Sequence, residues 1–155
     1  MKIQSRSDTE TKAIGHRLGE KLNRGDVVCL YGELGAGKTT MTKGIASALG
    51  INERDITSAS FTIIAEYNVG VPSYHIDLYR VTRDEVSELG LQEYLGTNGV
   101  AVIEWAERAE GEIPDQSIQV SLHYKEDNKR EIEINGIQIR MSDFPGYENI
   151  DDTAK

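Results

Sequence analysis

The chain has 155 residues, a length that suits one domain with a single hydrophobic core. Its 26 acidic residues exceed its 17 basic residues, and a net charge of −9 argues against direct binding of nucleic acid. With one cysteine, no apolar run of about 20 residues and no leader-like start, the sequence predicts a cytoplasmic protein without a membrane segment.

The first part of the chain alternates helix and strand signals. Ser7 to Glu10 has the S-x-x-E form of a capping box and predicts a helix that continues to about Asn23. The apolar run 27–31 predicts a strand that is buried on both faces. A glycine-rich turn then leads into a helix predicted over residues 38–49.

The middle of the chain continues this alternation. Strands are predicted over residues 61–67 and 73–79, and a second capping box at 82–85 predicts a short helix. A helical turn is expected over 91–95, and the apolar run 100–103 predicts another fully buried strand. Helices and apolar strands in this order indicate an α/β fold.

The last part of the chain is rich in strand signals. Alternating apolar residues over 118–122 and 132–134 flank a charged segment and predict an antiparallel hairpin. A further short strand is predicted over 137–140. We expect a single domain over residues 1–141, followed by an acidic, flexible tail over 142–155.

A phosphate-binding loop is the strongest motif. Gly32 to Thr39 matches the pattern G-x-x-x-x-G-K-[ST] at every fixed position, between a predicted strand and a predicted helix. Backbone N–H groups and the helix start would face phosphate oxygens. Lys38 is expected to bridge the β- and γ-phosphates, Thr39 to ligate Mg²⁺ and Thr40 to contact the α-phosphate. The remaining loop residues expected at the nucleotide are Glu33, Leu34, Gly35, Ala36 and Gly37.

Two acidic residues are candidates for the chemistry. Glu104 ends the second fully apolar strand, where a magnesium-dependent nucleoside triphosphatase holds its metal through an acid. Asp77 shares a strand face with His75 and is expected to orient the attacking water or to hold the Mg²⁺ shell. His75 itself is interpreted as a hydrogen-bonded structural residue. The polar stretch 57–62 occupies a position where P-loop proteins often have a switch segment that senses the γ-phosphate.

Four segments together resemble the TsaE family, formerly called YjeE. They are G-E-L-G-A-G-K-T-T at 32–40, T-S-A-S-F-T at 57–62, H-I-D-L-Y-R at 75–80 and I-E-W at 103–105. Their order and spacing agree with the family over about residues 7–140. Two departures occur, since the family usually has proline where Ala59 and Ala106 stand.

The resemblance implies a function that the motifs alone do not give. This family is the bacterial ATPase of threonylcarbamoyladenosine modification of tRNA, and it binds ATP and Mg²⁺. It works with TsaB and TsaD, which transfer the threonylcarbamoyl group to the adenosine 3′ of the anticodon. The resemblance therefore implies that this chain acts on tRNA only indirectly, through these partners. Hydrolysis is implied to support turnover of the complex, and not the transfer itself. The implied fold is a three-layer P-loop NTPase-like α/β fold with a mixed, mainly parallel sheet and an antiparallel C-terminal hairpin.

The resemblance also implies roles for individual residues. Lys38 is implied to bind phosphate and Thr39 to bind Mg²⁺. Glu104 becomes the second Mg²⁺ residue, and Asp77 the essential aspartate near the nucleotide. Three further positions match the family. Thr62 falls in the switch-like segment and is expected to be catalytic, and Thr11 is expected near the nucleotide. Arg130 matches a recurrent arginine and is counted with the nucleotide-binding residues, although the resemblance leaves its exact role open.

Other readings of the loop remain possible from the sequence. A small-molecule kinase would need an arginine-bearing lid, and a GTPase would need an N-K-x-D element that 128–131 only approaches. A nucleotide-sensing module without required turnover is a third class. Arg80, Arg83 and Arg130 are interpreted as surface charges, so slow hydrolysis is expected from the isolated chain.

Overall fold

A computed structural model describes residues 1–56 and 63–151. Its strands form one sheet and are β1 (Lys2–Ser5), β2 (Val27–Tyr31), β3 (Ile64–Val69), β4 (Val71–Asp77), β5 (Val100–Glu104), β6 (Ile118–Tyr124) and β7 (Arg130–Asn135). The spatial order is β1-β7-β6-β2-β5-β4-β3. The central neighbours β6, β2, β5 and β4 pair in parallel, and the outer pairs β1–β7, β6–β7 and β3–β4 are antiparallel.

The helices are α1 (Asp8–Gly19), α2 (Lys38–Ala48) and α3 (Arg83–Val86), with shorter 3₁₀ segments at Glu53–Asp55, Leu91–Glu93, Ala106–Glu112 and Met141–Asp143. The capping box predicted at Thr82 is complete, since Thr82 and Glu85 cap each other reciprocally. The one predicted at Ser7 forms only in part: the Ser7 hydroxyl accepts from the backbone N–H of Glu10, but the Glu10 carboxylate accepts from the backbone N–H of Arg6. These caps satisfy N–H groups that a helix start leaves without partners.

Helices cover both faces of the sheet, which makes three layers. On one face, Ile14 of α1 and Met41 of α2 join a core that includes Leu30 of β2. On the other face, Val86 of α3 packs in a second core with Ile103 of β5. The predicted three-layer α/β fold with a mixed sheet and a C-terminal hairpin is therefore confirmed.

Helices α1 and α2 pack so closely that their backbones are in contact at two glycines. A Cβ atom built on Gly44 would lie 2.1 Å from the Lys12 carbonyl oxygen, and one on Gly15 would lie 2.6 Å from the Met41 carbonyl oxygen. Both separations are too short for any side chain. The two glycines thus allow a close helix crossing, which fixes α2 and the loop that precedes it.

Three segments differ from the sequence expectations. Helix α1 ends at Gly19 rather than near Asn23. Strand β1 was not predicted, because its four residues, K-I-Q-S, are too short for a clear pattern and pair with β7 more than 120 residues away. The strand predicted over 137–140 does not form, since a turn occupies residues 137–138.

The segment after residue 141 also differs from the expected flexible tail. The side chain of Phe144 is fully buried in the core beneath α1. The backbone N–H of Ile150 donates to the Lys2 carbonyl at 2.8 Å, so the chain runs along the outer edge of β1. Residues 142–151 therefore pack on the domain, and residues 152–155 lie outside the described part.

Candidate functional site

The carboxyl ends of parallel strands β2, β4 and β5 converge on a cleft of about 480 Å³. Such switch points of an α/β sheet are where ligands usually bind. The glycine-rich loop between β2 and α2 forms one side of the cleft. The predicted residues that line it are Leu34, Gly35, Gly37, Lys38, Thr39, Thr40, Asp77, Glu104 and Arg130. Residues far apart in the sequence thus meet in one place.

Lys38 lies at the start of α2, and its side chain is folded back over the loop. Its Nζ donates to the carbonyls of Gly32 and Glu33, the latter at 2.8 Å, and lies 4.1 Å from the ring centre of Trp105. Burial lowers the pKa of Lys38, and the Glu104 carboxylate opposes this effect most strongly. The ammonium is therefore bound by neutral acceptors and an aromatic face that a stronger anion could replace.

Glu104 is the most constrained carboxylate of the cleft, with 2% of its side chain exposed. Its Oε1 accepts a hydrogen bond from the Thr39 hydroxyl at 3.0 Å. Its Oε2 accepts from His75 Nε2 at 2.6 Å and lies 3.3 Å from the Thr42 hydroxyl, which is also 2.9 Å from the Lys38 carbonyl. Because α2 packs over this face of β5, its hydroxyls at 39 and 42 reach both oxygens.

Asp77 lies beside Glu104 and is 7% exposed. Its Oδ1 accepts the backbone N–H of Tyr79 at 3.0 Å. Burial raises the pKa of Asp77, and the neighbouring Glu104 carboxylate raises it further. Asp77 is thus a carboxylate with a perturbed pKa in a cleft, which is typical of functional residues.

The donor set of this cleft suits Mg²⁺ in the company of a phosphate. In the described residues, no group of three or more His, Cys, Asp or Glu side chains could hold a metal alone. Mg²⁺ instead uses one or two protein oxygens together with substrate phosphates and water. The Thr39 hydroxyl and the Glu104 carboxylate, hydrogen-bonded to each other, are hard oxygen donors of this kind.

Arg130 is a buried residue of the site, and its interpretation as a surface charge is wrong. Only 7% of it is exposed. Its Nε donates to the Ala36 carbonyl at 3.1 Å, and a terminal nitrogen lies 2.8 Å from Asp8 Oδ1. Gly37 has φ 108°, and a Cβ on it would lie 2.9 Å from Arg130 Nε. Arg130 therefore holds the loop against β7 and the start of α1.

Some predicted residues lie away from the cleft. The Thr11 hydroxyl is fully buried and shares a hydrogen bond of 2.7 Å with Ser5, so it ties α1 to β1. Glu33 is exposed and borders a neighbouring surface pocket together with Ala36. Thr62, with the rest of the 57–62 stretch, lies outside the described residues.

Arg108 is a residue of this region that sequence reasoning missed. Its guanidinium donates to the carbonyls of Leu78, Tyr79 and Val81, and its centre lies 5.3 Å from the Trp105 ring. It thereby fixes the chain that follows Asp77. No sequence motif marks it, because its partners are backbone atoms about 30 residues earlier.

Comparison with known proteins gives a consistent result. A model of the family described as "Threonylcarbamoyl adenosine biosynthesis protein TsaE" matches residues 5–132. A Bacillus subtilis protein named tRNA threonylcarbamoyladenosine biosynthesis protein TsaE is 46% identical over 133 residues, covering 85% of this chain and 83% of that protein. A protein of the same name from Treponema pallidum is 42% identical over 86% of this chain and 99% of its own length.

A solved structure is similar as well. The crystal structure of Bacillus subtilis YdiB matches with a TM-score of 0.74 and 40% identity, covering 88% of this chain and 85% of that one. In the part of the chain that the structure describes, none of the helices has the length and apolar character needed to cross a membrane.

Proposed function

Because the chain belongs to the TsaE family, which acts in tRNA threonylcarbamoyladenosine biosynthesis, we propose that it is the ATP-binding and ATP-hydrolysing subunit of that pathway. Its hydrolysis supports turnover of the complex that adds the threonylcarbamoyl group to the adenosine 3′ of the anticodon. The observation that supports this most is the hydrogen bond from Thr39 to Glu104, which joins the phosphate-loop motif to the acid of a neighbouring strand.

The loop and Lys38 bind the phosphates of ATP. The backbone N–H groups of a glycine-rich loop and of the start of α2 favour negative charge. Lys38 exchanges its contacts with the Gly32 and Glu33 carbonyls for the β- and γ-phosphates. This exchange is favourable because an ammonium binds an anion more strongly than a neutral carbonyl.

Thr39 and Glu104 hold Mg²⁺, which neutralises charge on the β- and γ-phosphates when it is bound. Glu104 is buried and already accepts hydrogen bonds from the Thr39 hydroxyl and from His75. Preorganised ligands lose little freedom when the nucleotide arrives, which favours binding.

Asp77 orients the water that attacks the γ-phosphate. The attack forms a bond from the water oxygen to phosphorus and breaks the bond to the bridging oxygen, giving ADP and phosphate. The backbone N–H of Tyr79 fixes one carboxylate oxygen of Asp77, which leaves the other to accept from water. The proton of the water passes to Asp77 or to an oxygen of the γ-phosphoryl group, and ADP is the leaving group.

The isolated chain hydrolyses ATP slowly, and its partners TsaD and TsaB complete the site. Arg108 and Arg130 lie near the cleft, but protein carbonyls and Asp8 already engage them. A cation that stabilises the transition state is worth a large factor in rate, so a partner that supplies one would control turnover. Because its net charge of −9 disfavours direct binding to tRNA, the chain acts on tRNA through these partners, in the cytoplasm.

The direct test is magnesium-dependent ATP hydrolysis by the chain alone and with TsaB and TsaD. We expect a low basal rate, stimulation by the partners and loss of both in Lys38→Ala and Glu104→Gln. Thr40→Ser serves as a control that keeps the hydroxyl at the helix start. Hydrolysis that is equal in wild type and Lys38→Ala would contradict the proposal.

A further inference from the structure

We propose that His75 is a positioning residue that fixes the carboxylate of Glu104 in its metal-holding orientation, an inference that rests on the proposed function. The sequence predicts a hydrogen-bonded structural residue at position 75. The structure confirms that His75 is hydrogen-bonded and shows that its partner is Glu104, the carboxylate that also accepts from Thr39 of the loop.

The sheet register brings the two side chains together. His75 of β4 pairs with Val102 of β5, two residues before Glu104 on the same face. Both side chains are buried, with 7% and 2% exposed. A carboxylate can only accept, so the hydrogen lies on His75 Nε2, and the distance of 2.6 Å is that of a strong, charge-assisted bond.

The contacts divide the two oxygens of Glu104 between separate tasks. Oε2 points into the protein and accepts from His75 at 2.6 Å, whereas the Thr42 hydroxyl, 3.3 Å away, lies closer to the Lys38 carbonyl at 2.9 Å. Among the described residues, Oε1 accepts only from Thr39, and this bond lies at the cleft. Because His75 occupies the inner oxygen, the outer oxygen stays directed at the loop.

This arrangement resembles the way in which outer hydrogen bonds orient metal ligands in general. A glutamate has three side-chain torsions, and ordering them costs free energy when a metal binds. Removing an outer partner of a metal ligand typically weakens metal binding by about 10- to 100-fold. His75 therefore contributes to metal affinity without touching the metal or the nucleotide.

Four variants separate this role from a general effect on folding. Gln and Met have nearly the same length and volume, but only Gln has an N–H donor that can reach Oε2 from position 75. His75→Gln and His75→Met are the first matched pair. His75→Asn keeps the polarity of Gln with a shorter reach, so it replaces Met if that variant does not fold. Arg83→Met, at an exposed position away from the cleft, is the control for surface change.

The measurement is Mn²⁺ binding by electron paramagnetic resonance in the presence of the non-hydrolysable analogue AMP-PNP, with nucleotide binding in EDTA as a second readout. We expect His75→Met and His75→Asn to bind Mn²⁺ at least about 10-fold more weakly than wild type, and His75→Gln within about threefold. Nucleotide affinity in EDTA should be unchanged in all of them. Melting temperatures show which variants are folded.

Two results would overturn the inference. One is wild-type Mn²⁺ affinity in a folded His75→Met or His75→Asn variant. The other is an equal loss in Gln, Met and Asn, which would indicate packing and not hydrogen bonding. Failure of the wild-type protein to bind Mn²⁺ with the nucleotide would instead contradict the proposed function, so the two failures are distinguishable.

Discussion

Asp77 and Glu104 are register partners at the carboxyl ends of the adjacent parallel strands β4 and β5. Their surroundings differ. Glu104 accepts hydrogen bonds from the side chains of Thr39 and His75, whereas Asp77 accepts from the backbone N–H of Tyr79. Two neighbouring carboxylates in different environments can take different tasks, one holding a metal and the other acting on water.

Asp77→Asn should stabilise the protein at neutral pH. The raised pKa means that the folded state binds this proton more tightly than the unfolded chain, whose ordinary value is 3.8. The contribution of Asp77 to stability is therefore fully present below that value and is lost as the pH rises through the folded-state pKa. Asn keeps an oxygen for the Tyr79 N–H and cannot ionise.

Urea unfolding at pH 7 and at lower pH measures this effect. The variant should exceed wild type in stability at pH 7, and the difference should shrink as the pH falls toward about 4, the ordinary pKa of aspartate. Its ATP hydrolysis should fall by about 100-fold or more, since it loses the group that positions water. A variant that is less stable than wild type at pH 7 would show that the buried charge is not costly here.

Thr39→Val should lose metal-dependent nucleotide binding, and Thr39→Ser should keep it. Valine matches the shape of threonine but lacks the hydroxyl that donates to Glu104 at 3.0 Å. Fluorescence of Trp105, the only tryptophan of the chain and 4.1 Å from Lys38 Nζ, reports nucleotide binding with and without Mg²⁺. Equal Mg²⁺ dependence in the two variants would remove Thr39 from the metal site.

Gly44→Ala should destabilise the fold by about 1–3 kcal/mol, because an added methyl group forces a packed helix pair apart. Its Cβ would lie 2.1 Å from the Lys12 carbonyl oxygen. Gly111→Ala is the matched control, since a Cβ there has no atom within 4 Å. Thermal unfolding compares the two, and similar melting temperatures would mean that α1 and α2 adjust to the added methyl group.

Arg108→Met should cost about 1–3 kcal/mol by leaving backbone carbonyls without their donor. Those carbonyls belong to Leu78, Tyr79 and Val81, next to Asp77. Arg83→Met is the control, because its ion pair with Glu110 is exposed at both ends and such pairs contribute little. If both substitutions cost the same in chemical denaturation, Arg108 does not hold this segment.

Local signals made much of the fold predictable. The capping residues Ser7 and Thr82 mark helix starts, and the apolar run 27–31 marks a buried strand. The hairpin of β6 and β7 follows from alternation on both sides of a charged turn. The parallel pairing of β6 with β2 could not be predicted from local signals, because nothing in the sequence of either strand specifies its partner.

The candidate site likewise contains some residues that local signals mark and others that only the folded sheet brings into place. The meeting of Lys38, Thr39 and Glu104 in one cleft could be predicted because a contiguous motif and a strand end mark them, and their roles stay a prediction. The contact of His75 with Glu104 spans 29 residues and depends on sheet register. The burial of Arg130 depends on β7 lying next to the loop, and Thr11 was assigned to the nucleotide although its hydroxyl is used by Ser5.

Multiple-turnover threonylcarbamoylation of tRNA tests the central claim most directly. Purified TsaB and TsaD would act on tRNA with preformed threonylcarbamoyl-AMP, alone, with this protein and ATP–Mg²⁺, or with its Lys38→Ala variant. The account predicts that wild type increases the number of turnovers and that Lys38→Ala does not. Equal turnover in all three reactions, with partners shown to respond to a known TsaE, would contradict it.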